Sequence, residues 1–178
     1  MDKILQLLID RLGTPLGELL LVADLHGNLR ATAWADYETH LLPSFELHYG
    51  KKGFAIEPGR NPGGLTEAIK RYFAGELTAI NSLPVQTAGT AFQREVWHAL
   101  RSIPCGTTIS YAALARRIGR PNAVRAVGLA NGSNPVGVVV PCHRVIGSDG
   151  SLTGYGGGIE RKRWLLRHER ALPNDLGF

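Results

Sequence analysis

The stretch from Asn134 to Gly147 reads NPVGVVVPCHRVIG, and within it a thiol, an imidazole and a guanidinium stand in a row as Cys142, His143 and Arg144. A cysteine attacks as its thiolate and needs a base to remove its proton, and imidazole is the side chain suited to that task near neutral pH. A cysteine can equally be a small hydrophobe inside a core, so the pair alone leaves both readings open. The preceding run, Val136 to Val140, is rich in β-branched residues and closed by Pro141, which predicts a short buried strand. Cys142 would then sit where that strand ends, held rigidly at the mouth of a packed core and reachable from one side. Cys105, in Ile103-Pro104-Cys105-Gly106, has no acid, base or histidine beside it and reads as structural. Two cysteines make no disulfide framework, and His26, His40, His48, His98, His143 and His168 show none of the close spacings of zinc motifs, so no metal is expected.

The elements that must position these residues are legible to different degrees. Leu16 to Ala23 and Leu29 to Trp34 read as the arms of a hairpin around the turn-rich Asp24 to Asn28, with His26 exposed. Tyr37 to His48 suggests a short helix interrupted near Pro43, Gly50 to Gly64 a loop, and Leu65 to Phe73 a helix stopped at Gly75. Asn81 to Gly89 reads as a linker. Beyond it Thr90 and Gln93 form a capping box for a helix whose buried stripe is Phe92, Val96, Trp97 and Leu100. Ser110 caps a second helix ending at Gly119, and Asn122 is placed to cap a third, Ala123 to about Asn131; this pair matches a helix-turn-helix as well as it matches an ordinary helical hairpin. Leu152 to Gly158 is a glycine-rich loop suited to lying against a ligand. A last helix from Ile159 to Glu169 would turn Trp164, Leu165 and His168 inward and Arg161, Lys162, Arg163 and Arg167 outward. The tail, Ala171 to Phe178, is expected to fray.

With 178 residues, 44% of them hydrophobic and 20% charged, the chain can bury a core and is not of disordered composition. No apolar segment is long enough to span a bilayer and no signal peptide is recognisable, which points to a soluble cytoplasmic protein. The charge is uneven. Residues 1–88 carry 8 Lys and Arg against 10 Asp and Glu, whereas residues 89–178 carry 12 against 5, and 11 of those 12 cations are arginines. An Arg-rich half fits a phosphate-binding face, although a solvated basic surface would have the same composition.

The Pro141-Cys142-His143-Arg144-Val145 motif with Asn134-Pro135 upstream resembles the active-site motif of the O6-alkylguanine-DNA alkyltransferases. Ser110-Tyr111, Ala123-Val124-Arg125-Ala126-Val127-Gly128, Tyr155 to Gly158 and Trp164 to Glu169 follow in that family's order and spacing. The resemblance is strong from Phe92 to Glu169 and weaker before it, at Asn61-Pro62-Gly63-Gly64 and Tyr72-Phe73-Ala74-Gly75. It implies an α/β (α+β) fold: a small sheet-plus-helix, ribonuclease H-like scaffold domain over residues 1–88, then a mostly helical domain over 89–178 with a helix-turn-helix. It also implies an irreversible transfer of a methyl or larger alkyl group from O6 of guanine, or O4 of thymine, in double-stranded DNA to Cys142. No cofactor and no obligate protein partner are implied, and the basic half permits cooperative assembly along DNA.

The family pattern places Glu169 as the residue orienting His143, which deprotonates Cys142 through a water, with Asn134 bracing the cysteine turn and Tyr111 hydrogen-bonding the departing base. Arg125 would fill the gap left by a base flipped out of the duplex, Tyr111 would crowd a phosphate, and Ala126, Gly128 and Ala130 would let the helix enter the minor groove. Val145, Tyr155, Gly156, Gly157, Gly137 and Trp97 would line the base pocket. Gly137 stands where vertebrate members have a proline and Gly156 where they have a serine, and their N-terminal zinc ligands are not recognisable here. Three other readings compete. A cysteine hydrolase would draw its histidine from elsewhere in the chain and needs no basic helix-turn-helix. A non-catalytic damage-binding relative would lack the cysteine, and a helix-turn-helix regulator leaves the Cys-His pair unexplained.

Overall fold

A computed structural model describes residues 3–172, so the expected frayed tail lies outside the described residues from position 173 on. The chain divides into two compact units, Met1–Gly89 and Thr90–Phe178. The first is a four-stranded sheet in the order β3-β2-β1-β4, from β1 (Leu5–Thr14), β2 (Gly17–Asp24), β3 (Leu29–Trp34) and β4 (Phe54–Pro58). The first three strands form an antiparallel meander and β4 returns parallel to β1, with Leu5 opposite Phe54. This is the arrangement expected of a ribonuclease H-like sheet. Leu19 to Asp24 of β2 are all buried, as befits a strand covered on both faces. Helix α1 (Leu41–Tyr49) packs Phe45 against Leu7, Val22 and Ala31, while α2 (Leu65–Phe73) buries Leu65, Ala68, Ile69 and Tyr72.

Three expectations for this unit need correction. The long strand β1 has no counterpart among the elements predicted from the sequence. The supposed loop from Gly50 to Gly64 contains β4, whose pairing with β1 is a long-range contact that local turn residues obscure. Pro43 does not interrupt its helix: it lies in the first turn of α1, where a missing N–H costs nothing. Within the supposed linker, Leu29 donates to Pro84 O and accepts from Gln86 N, so those residues add to the edge of the sheet.

The second unit holds α3 (Ala91–Leu100), β5 (Ile109–Ser110), α4 (Tyr111–Arg117), α5 (Val124–Gly132), β6 (Val145–Ile146) and α6 (Ile159–His168). The Thr90–Gln93 capping box is present in both directions, and Ser110 Oγ caps α4 by accepting from Ala113 N at 3.1 Å. Gly119, with φ +73°, ends α4: its N–H bonds Arg116 O and that of Arg120 bonds Ala115 O, a reversal an L side chain would strain. The expected Asn122 cap is absent, because α5 starts one residue later on Ala123 without a side-chain cap.

Candidate active site

Val136 to Val140 do not form the expected strand. They wind into a buried turn closed by Val140 N to Val136 O at 2.9 Å, and Val138 takes φ +75°, a conformation that strains a β-branched residue. Asn134 holds this turn from inside: its Nδ2 donates to Val140 O at 2.8 Å and its Oδ1 accepts from Val136 N at 3.0 Å. A strand here would have left these buried backbone groups without a neighbour, whereas the turn pairs them internally. Cys142–Arg144 then form one turn of 3-10 helix, with Cys142, His143 and Arg144 all buried. The actual strand follows the cysteine. Val145 pairs with Ile109 and Ile146 with Ser110, and this two-residue ladder sets the start of α4, Tyr111 included, beside the cysteine turn.

Glu169 at the end of α6 is the electrostatic centre. Its Oε1 lies 2.9 Å from His143 Nε2, and Arg144 grips it with both arms, Nε to Oε2 at 2.9 Å and Nη2 to Oε1 at 2.8 Å. The third nitrogen of Arg144 donates to Ile103 O at 2.7 Å. Burial alone would raise the Glu169 carboxyl, but His143 and Arg144 outweigh it and hold it far below the ordinary carboxylate range. A carboxylate only accepts, so Nε2 of His143 carries the hydrogen and Nδ1 keeps its lone pair. That Nδ1 is buried and hydrogen-bonds no group among the described residues. Burial lowers His143, with Glu169 opposing, so the imidazole is neutral and basic at neutral pH. Burial likewise pushes the Cys142 thiol up, against the Asn134 hydrogen bond and the Lys162 cation, which favour the thiolate. The resting site is a thiol beside a neutral base whose imidazolium would be stabilised at once by Glu169, a nucleophile–base–orienter chain.

Tyr111, half-buried, donates its hydroxyl to Thr153 O at 3.0 Å in the glycine loop. In that loop Gly158 N bonds Tyr155 O at 2.9 Å and Arg161 Nη1 bonds Gly157 O at 3.1 Å, while Gly156 is exposed. Arg125 and Ala126 are exposed on α5, and Gly128 faces Tyr111, whose Cδ1 a Cβ there would meet at 3.8 Å. Ala130 departs from its expected place. It is buried, and its carbonyl accepts from Trp97 Nε1 at 2.8 Å across the packing of α3 on α5. Gly137 sits half-buried within the cysteine turn.

Lys162 was assigned to the solvent side of its helix, yet its side chain is wholly buried and donates to three main-chain carbonyls. Its place was detectable: positions 159, 162, 165, 166 and 169 follow the helical repeat, so Lys162 shares the inner stripe of Leu165, Leu166 and Glu169. Arg144, named in the motif but given no role, was legible as the charge that a buried Glu169 requires. Among the described residues no cluster of three or more His, Cys, Asp or Glu side chains is arranged to hold a metal ion, and no helix is long and apolar enough to cross a membrane.

A family model for the DNA-binding domain of 6-O-methylguanine DNA methyltransferase matches residues 91–171. The chain is 52% identical over 165 residues to a methylated-DNA–protein-cysteine methyltransferase of Shigella flexneri, covering 93% of this chain and 96% of that one. Its structure is similar to a crystal structure of Mycobacterium tuberculosis OGT in complex with DNA, with a TM-score of 0.76, 41% identity and coverage of 96% and 97% of the two chains. It is also similar to the O6-methylguanine-DNA methyltransferase of Pyrococcus kodakaraensis, with a TM-score of 0.67, 28% identity and coverage of 92% and 98%.

Proposed function

Because the chain belongs to the family of methylated-DNA–protein-cysteine methyltransferases, we propose that the buried Cys142–His143–Glu169 chain is the point at which the alkyl group leaves DNA. The protein repairs DNA by direct reversal, taking an alkyl group onto its own cysteine. The observation that carries the residue-level reading is His143, fixed by Glu169 through Nε2 and presenting as base a buried Nδ1 with no hydrogen-bond partner among the described residues.

In the transfer, the Cys142 proton passes to His143 through a water, the sulfur forms a bond to the alkyl carbon, and the bond from that carbon to O6 of guanine breaks. The electron pair of the broken bond goes to the guanine, which takes up a proton from solvent as it leaves, and Tyr111 turns its one hydroxyl hydrogen from Thr153 O to the departing base. Cys142 ends as a thioether, which nothing at the site can reverse, so each molecule acts once. With Cys142 only 7% exposed, a base stacked in a duplex cannot reach it, and the lesion must be flipped out. Exposed Arg125 on α5 is suited to fill the space left behind, with Ala126 and Gly128 allowing close approach to the minor groove. In this reading residues 89–178 carry the chemistry and the DNA contacts, residues 1–88 serve as scaffold, and the protein works in the cytoplasm, where two unbridged cysteines persist.

Mass spectrometry after mixing the protein with duplex DNA containing O6-methylguanine tests this directly. One methyl group on the Cys142 peptide, in stoichiometric yield and absent from Cys142→Ala, is the expected result. Tight DNA binding without an adduct would make the protein a damage sensor, and neither adduct nor binding would reopen the hydrolase.

A further inference from the structure

A lysine is almost never fully buried without partners, and Lys162 is wholly so. Its Nζ donates to Val145 O at 2.6 Å, Thr153 O at 2.9 Å and Gly154 O at 3.3 Å, which uses all three N–H groups of an ammonium. The acceptors come from two separate segments. Val145 follows the Cys142–Arg144 turn, and Thr153 and Gly154 belong to the glycine loop, which no helix or strand holds. Thr153 O is shared, since it also accepts from the Tyr111 hydroxyl on α4 at 3.0 Å.

We propose that Lys162 is a positioning residue for alkyl transfer: its ammonium ties the glycine loop to the cysteine segment and, through the shared Thr153 carbonyl, sets Tyr111 against both. The proposal rests on the transfer reading above and adds to it a cation that touches neither the alkyl group nor DNA. Carbonyls from two segments brought this close repel one another unless a donor stands between them, and a single –NH3+ serves three at once. A neutral side chain of similar length would take the ammonium from all three, leaving Thr153 O its Tyr111 bond but the loop without its tie to Val145 O. The cation also acts on the neighbouring titrating groups, favouring the thiolate of Cys142 and disfavouring the imidazolium of His143. Burial lowers Lys162 itself to about 8, with Cys142 opposing. Above that pH the amine has two hydrogens for three carbonyls, so the clamp weakens within an accessible range.

The test is single-turnover methyl transfer from saturating O6-methylguanine duplex between about pH 6.5 and 9.5, using wild type, Lys162→Met, Tyr111→Phe and the double variant. At neutral pH Lys162→Met should transfer about tenfold or more slower while duplex Kd stays within about twofold. The wild-type rate should turn down above about pH 8 and that of Lys162→Met should not. The double variant should lose less than the product of the two single losses, because part of what Tyr111 contributes is set through the shared carbonyl. Equal rates for Lys162→Met and wild type, or fully multiplicative losses, would overturn the proposal. Should Lys162→Met not fold, a wild-type rate that keeps rising through pH 9 overturns it alone. Absence of any methyl transfer by wild type would instead refute the reading on which the proposal rests.

Discussion

Glu169 shows how one carboxylate can organise a site. It accepts from His143 and from two nitrogens of Arg144 while almost wholly buried, so its charge is compensated on two sides. Glu169→Gln keeps the shape but removes the charge, leaving Arg144 a buried cation and His143 without the partner that stabilises its protonated form. Methyl transfer should slow by about 10²- to 10⁴-fold, the range for loss of assisted proton transfer. Stability should fall by about 3–5 kcal/mol, as when one member of a buried ion pair is removed. The pH dependence follows from the signs. His143 titrates below its ordinary 6.5 in the folded protein, so the unfolded chain takes up a proton first and stability declines as pH falls below about 6.5. Glu169 is also depressed, so its contribution is complete above the ordinary 4.5 and is lost as pH falls from there toward its much lower folded value. Urea midpoints measured from neutral pH downward should therefore decline in two stages, with the lower stage missing in Glu169→Gln.

Among the elements, the turn that presents Cys142 is the most constrained. Val138 is held at φ +75° because Asn134 bonds both ends of the turn. Asn134→Ala removes two hydrogen bonds, each worth about 1 kcal/mol, and lets Val138 relax. Transfer should drop by about tenfold or more for a stability loss of only about 2 kcal/mol, a disproportion that rates and thermal unfolding on one preparation would reveal. Thr90→Ala is the contrasting case. It breaks the capping box of α3, should cost about 1 kcal/mol, and should leave the transfer rate unchanged in the same assays.

For the whole molecule, the surplus of arginines after residue 89 and the exposure of Arg125 set the behaviour toward DNA. Duplex affinity should fall log-linearly with salt, because phosphate contacts release counterions, and should vary little with sequence. Arg125→Ala should slow transfer from duplex DNA by about tenfold or more yet change reaction with the free alkylated base by less than about twofold, since only the duplex requires a flipped base to be replaced. Equal losses on the two substrates would remove Arg125 from the flipping step. Rates on both substrates, taken alongside a salt titration of binding, check these outcomes together.

Local chemistry by itself determined the hairpin β2–β3, helices α2 to α6, the capping box at Thr90 and the turn at Gly119, because each is written within a few neighbouring residues. The Cys142–His143 pair was legible in the motif, and Glu169 only through the family resemblance, since a carboxylate at a helix end otherwise reads as solvated. Tertiary structure alone decided the rest. β4 exists because β1 pairs with it from far along the chain, Leu5 with Phe54, and the apolar run before Cys142 became a turn because Asn134, rather than a neighbouring strand, satisfies its backbone. Ala130 and Trp97 were claimed by helix packing, where their small and flat surfaces fit. Lys162 was placed outward by its charge and inward by its helical phase. Phase prevailed, because the carbonyls of Val145, Thr153 and Gly154 meet only in the folded chain and together solvate an ammonium as water would.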